Sequence, residues 1–140
     1  MSLRSLAIFD ADLPVDGVWN DDEDEYVEDP GKAATAEIAQ ILRGLGCEVE
    51  EAELEPQHGW QFHFKSDGAK LWGQVSYIDE WYLHLEAPSG LFGPKKESRK
   101  ALEELLPRLD AALRADPRVT NLLWYDPMGG DKGSPRPGYA

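Results

Sequence analysis

Residues 60–86 read Trp60-Gln-Phe-His-Phe-Lys-Ser-Asp-Gly-Ala-Lys-Leu-Trp-Gly-Gln-Val-Ser-Tyr-Ile-Asp-Glu-Trp-Tyr-Leu-His-Leu-Glu86, and their alternation decides the fold. Trp60, Phe62 and Phe64 fall on one side of a strand; Gln61, His63 and Lys65 fall on the other. Asp67-Gly68 is the signature of a two-residue hairpin turn, because both positions need a positive φ. That turn pairs Phe64 with Leu71, Phe62 with Gly73 and Trp60 with Val75. At the next corner a two-residue turn, Asp79-Glu80, throws Trp81, Leu83 and Leu85 onto the polar side. A three-residue loop, Ile78-Asp79-Glu80, instead pairs Tyr77 with Trp81, Val75 with Leu83 and Gly73 with Leu85. A slip of one residue flips every side chain, so the apolar pattern selects the second register. The large apolar residues then share one face, and Gln61, His63, Lys65, Trp72, Gln74, Ser76, Tyr82, His84 and Glu86 share the other.

Helical periodicity flanks this meander. Ile38, Ile41, Leu42 and Leu45 form a stripe on a helix from about Lys32 to Leu45, with Gly44 and Gly46 offering a stop. Leu102, Leu105, Leu106, Leu109 and Leu113 form another from about Lys95 to Ala115. Pro107 falls inside it; the stripe stays in phase across the proline, which favours a kink over a second helix. Leu91 and Phe92 are placed to staple its start. Glu48–Leu54 carries charges suited to an edge strand, with five acids between Glu48 and Glu55. Ser5–Phe9 is a possible short first strand, Val119–Tyr125 a last one. The expected fold is α+β: an antiparallel sheet of about four to five strands with two helices on one face, in the order (β)-α-β-β-β-β-α-β. At 140 residues the chain fits one domain, with an acidic arm over 1–30, a core over 31–126 and a Gly/Pro-rich tail over 127–140.

Charge is unevenly spread. The net charge is −13, and residues 1–30 hold ten acids against Arg4 alone. Asn20–Asp29 contains seven acids in ten residues, with Asp21, Asp22, Glu23, Asp24 and Glu25 consecutive, and reads as a solvated loop. Such a field repels nucleic acid and anionic lipid and speeds encounter with basic proteins. The basic cluster Lys95, Lys96, Arg99 and Lys100 can grip an anion, but a solvated first helical turn or a landing site for the arm is the favoured account. One cysteine, Cys47, excludes an intramolecular disulfide. With no signal-peptide core and no bilayer-length apolar run, a cytoplasmic location is expected.

Catalytic patterns are thin. Ala7-Ile-Phe-Asp10-Ala-Asp12-Leu-Pro-Val15 resembles the first motif of the haloacid-dehalogenase-like phosphatases, which implies Asp10 as nucleophile and Asp12 as acid/base beside magnesium. The resemblance covers about ten residues. Leu13 and Pro14 replace the small residue and threonine that follow the second aspartate, and the later lysine and acidic motifs are missing. Asp10, Asp12 and Asp16 also miss the calcium-loop pattern, since Pro14 stands where a ligand is needed. His63 and His84 lie two strands apart, about 10 Å or more by sheet spacing, too far to share one metal ion. His58, just before the strand, does not change that. Cys47 follows a helix C-terminus, where the dipole opposes a thiolate, so it reads as a small core residue. No cofactor and no metal are expected.

What remains is a partner surface. Trp72 and Tyr82 among His63, Gln74, His84 and Glu86 are the residue types that anchor protein interfaces. The composition suits a small acidic module without catalytic activity, with the size and acidity of an immunity or inhibitor protein that neutralises a basic partner. An effector chaperone, a small-ligand protein or enzyme, and a homodimer or other self-associating domain that covers its own sheet are the alternatives.

Overall fold

A computed structural model describes residues 3–90, 93–94, 96–129 and 132–139. The expected staple of Leu91 and Phe92 and the first basic residue, Lys95, lie outside them. In chain order the elements are β1 (Leu3–Arg4), β2 (Leu6–Ala11), β3 (Val18–Asn20), β4 (Glu25–Glu28), α1 (Lys32–Gly44), β5 (Glu48–Val49), β6 (Glu53–Glu55), β7 (Gly59–Ser66), β8 (Ala69–Ile78) and β9 (Glu80–Glu86). Two short strands β10 (Ser89–Gly90) and β11 (Gly93–Pro94), helix α2 (Lys96–Ala115), β12 (Val119–Tyr125) and β13 (Gly138–Tyr139) complete the chain. The class is α+β.

The main sheet has seven strands in the order β12-β2-β9-β8-β7, with β5 and β6 sharing the outer edge of β7. Every pairing in it is antiparallel. Asp67 and Gly68 take φ of 50° and 77°, which a tight hairpin turn requires. The pairs expected from the alternation are all present, from Phe64 with Leu71 and Trp60 with Val75 to Val75 with Leu83 and Gly73 with Leu85. Asp79, at φ 62°, forms the tip of the second turn.

Both helices pack on the side that carries Phe62, Phe64, Leu71, Val75, Trp81, Leu83 and Leu85, and these join Ile38, Leu42 and the five α2 leucines in one core. Each leucine so buried contributes about 1.5–3 kcal/mol. Gly73 makes room for this packing, because a Cβ there would stand 2.5 Å from Phe62 Cζ. Helix α2 continues through Pro107 as one element. Pro107 lies on its exposed side, where water can meet the carbonyl that the missing N–H leaves free.

Two features depart from the sequence-based expectation, and a third adds to it. The sheet is larger than four to five strands, because the edge Glu48–Glu55 is split in two and Leu6–Ala11 is inserted between the last strand and β9. The acidic run is a hairpin rather than a loop: Trp19 pairs with Tyr26 and Asn20 with Glu25. Their rings meet edge to face at 4.9 Å, a contact worth about 0.5–1.5 kcal/mol. The tail also folds back. Trp124 exchanges both backbone hydrogen bonds with Ser134, and Gly138–Tyr139 pairs with Leu3–Arg4.

Two aspartates pin the base of the acidic hairpin. Asp16 accepts from the amides of Gly31 (2.7 Å) and Ala33 (2.9 Å), so it caps a helix that has no acid of its own in the first turn. Asp29 accepts from the Gln57 amide through its carboxylate and from the Trp60 indole through its carbonyl. Gly17, at φ 112°, lets the strands pinch together here, since a Cβ would lie 2.9 Å from the Glu28 carbonyl oxygen.

Candidate protein-binding face

The side of the sheet away from the helices is ordered in rows by the strand register. One row runs Leu123, Ile8, Tyr82, Ser76; the next Tyr125, Leu6, His84, Gln74, Gln61; a third Glu86, Trp72, His63. Trp72, Gln74, Tyr82 and His84 are part-exposed, while His63 and Glu86 are exposed. Across the sheet, Trp81 and Leu83 are 1% and 0% exposed. All six residues expected to form a binding surface therefore lie on the helix-free face.

Within it, Trp72 and His84 form the most fixed group. The Trp72 ring meets His84 edge to face at 5.4 Å, and its indole N–H donates to Gln61 Oε1 at 3.3 Å. His84 Nε2 is out of water and makes no hydrogen bond; Glu86 Oε1 lies 3.4 Å away. Burial pushes the His84 pKa below its usual value, against the opposing pull of Glu86. The imidazole is therefore neutral at neutral pH and adds no cation to the face. His63 sits beside Trp72 and His84 beside Gln74, so the register separates the two imidazoles as expected.

Leu6, Ile8 and Leu123 also belong to this face, and the sequence reading missed them. The available signal was that Leu6–Phe9 and Leu122–Tyr125 are apolar at every position, so neither strand has a polar side. Leu123 is 37% exposed. The tail packs on one corner: Gly133 lies so close to the Tyr125 ring that a Cβ would meet Tyr125 Cζ at 2.7 Å.

At the lower end the face runs into a depression of about 600 Å³, lined by Gln74, Ser76 and Ile78 from the sheet, Tyr26 from the acidic hairpin, and Asp29 and Asp79. Tyr26 (42% exposed) and Ile78 (69%) leave apolar surface in water here, and Trp19 (47%) stands against Tyr26. Asp21, Asp22, Glu23, Asp24 and Glu25, also exposed, form the hairpin tip. A hydrogen bond and repulsion from Glu23 hold the Glu25 pKa above the usual carboxylate value, a sign of crowded negative charge.

Comparison with protein-family models, with curated proteins and with solved structures finds no match.

The other candidates resolve into structural roles. Asp10 accepts from the Asn121 side chain at 2.8 Å, on a strand that is antiparallel to both neighbours. Asp16 is committed to the α1 cap. Cys47 is 6% exposed, and burial pushes its thiol pKa up, which fits a core residue. Of the described members of the basic cluster, Arg99 faces Glu103 and Tyr139, and Lys100 faces Glu104. No helix among the described residues is long and apolar enough to cross a membrane.

Proposed function

We propose that the chain is a small acidic protein-binding module without catalytic activity, of the inhibitor or immunity type, whose helix-free sheet face docks a partner with a basic surface. The observation that carries this is the contrast across one sheet. The helix side is sealed, while the other side presents Trp72, Tyr82, Leu6, Ile8 and Leu123 part-exposed and rimmed by polar groups. A mixed aromatic and aliphatic patch with a polar rim is what protein interfaces use. The carboxylates at its lower end favour a cationic partner and speed its approach.

Affinity capture with immobilised protein tests this. Tyr82→Ala and Trp72→Ala are expected to release a basic protein that the wild type retains, each with a stability loss of only about 1 kcal/mol. Unchanged retention in the double variant contradicts the assignment of this face. Sedimentation of the unliganded protein separates the remaining occupant: a dimer that dissociates in Tyr82→Ala assigns the face to a second copy of this chain instead.

A further inference from the structure

We infer that the hairpin Val18–Glu28 and the depression at its foot form a docking site for a lysine- or arginine-bearing segment of the partner. The inference rests on the protein-binding reading above and adds the chemistry of the segment recognised. Three observations meet at this place. First, Tyr26 and Ile78, both exposed, line a cavity of about 600 Å³, with Asp29 and Asp79 also on its walls. The aliphatic stem of Lys or Arg fits against such apolar walls while its charged end reaches the carboxylates, and an aromatic face adds a cation–π contact.

Second, the hairpin carries six acids and no base, and Glu23 and Glu25 already crowd one another. A cation lowers that repulsion; a second anion raises it. Third, the structure holds the hairpin by Asp16 and Asp29 at its base, leaving the acids of the tip outside the anchoring bonds. A projecting, pre-ordered element has less conformational freedom to lose on binding than a flexible loop.

Competing occupants fit less well. Among the described residues no three acids, histidines or cysteines come together to hold a metal ion. A second copy of this chain carries a net charge of −13 itself and is repelled by the acidic hairpin. A basic peptide is the occupant that the charge and the apolar walls select together.

The test is an NMR titration of the full chain with a synthetic lysine- and arginine-rich peptide containing leucine, with spermine and a glutamate-for-lysine peptide as controls. Saturable shifts are expected at Trp19, Tyr26, Ile78 and Asp79. Affinity should fall about tenfold both in Tyr26→Ala and in the triple variant Asp21→Asn, Asp22→Asn, Asp24→Asn. The triple variant should melt like the wild type, since its sites lie outside the anchoring bonds. Binding that is equal for spermine, spread over Glu48–Glu55, or undiminished in Tyr26→Ala means diffuse charge attraction and overturns the site. The two claims fail separately. Peptide failure with intact capture through Tyr82 removes only the inference. Specific peptide binding with capture insensitive to Tyr82 and Trp72 removes only the sheet-face assignment.

Discussion

Trp81→Ala is expected to destabilise the protein by about 3–5 kcal/mol, whereas Tyr82→Ala, the next residue, should cost about 1 kcal/mol. Trp81 is 1% exposed, packs on the Tyr77 ring at 4.7 Å between centroids, and lies beside Gly31 at the start of α1. Its removal leaves a void that helix and sheet cannot close together. Tyr82 points the opposite way and is part-exposed, so truncation there gives up contact area without opening the core. In thermal melts the first change should appear as a fall of roughly 10–20 °C and the second as about 5 °C or less, given the size of the domain. Equal falls would mean that both faces of β9 are packed inside.

Gly59→Ala is expected to cost roughly 2–5 kcal/mol, the sum of a strained backbone and an overpacked contact. Gly59 has φ of 116°, and a Cβ on it would stand 2.2 Å from the Val75 carbonyl oxygen and 2.8 Å from Ser76 Oγ. The first of these is backbone, so the start of β7 must move away from β8. Gly68 is the internal control: its φ is also positive, at 77°, yet nothing lies within 4 Å of the added carbon. Gly68→Ala should therefore lose about 1 kcal/mol. Urea midpoints of the two variants make the comparison. If Gly59→Ala is as mild as Gly68→Ala, the close approach of the two strands at the foot of the depression is wrong. Because Gly59 also lines that depression, Gly59→Ala should weaken basic-peptide binding in the fraction that remains folded.

The middle of the fold was legible because its information is local. Asp67-Gly68 sets one turn, the apolar alternation sets the next, and together they place every side chain from Trp60 to Glu86 on its face. The stripes of both helices were legible for the same reason. The position of β2 was not, because nothing in Leu6–Ala11 says that it lies between β9 and β12, more than seventy residues away along the chain. With it went the aliphatic half of the candidate face, Leu6, Ile8 and Leu123.

The acidic hairpin was hidden by composition. Five consecutive acids argue for a loop, and they do form the tip, but Trp19 and Tyr26 on either side pair across it, and Asp16 and Asp29 fasten it to the body. Two acids counted as part of a solvent field turn out to serve as backbone acceptors at fixed positions. The Gly/Pro tail gives no periodic signal of its contacts either. Arg114 donates to the Pro135 carbonyl at 2.7 Å and to Asp110 at 2.9 Å, and Asp110 also receives the buried Trp124 indole, so the tail is tied to α2 and β12. Such long-range polar contacts leave no periodic trace in a sequence.

Hydroxyl-radical footprinting of the unliganded chain, at a dilution where sedimentation shows a monomer, tests the two-sided character of the sheet most directly. Tyr82, Trp72 and Trp19 should be oxidised several-fold faster than Trp81 and Trp124, which are 1% and 0% exposed. Protection of Tyr82 and Trp72 equal to that of Trp81 in the monomer would mean that the chain covers this face itself, and that no partner surface exists there.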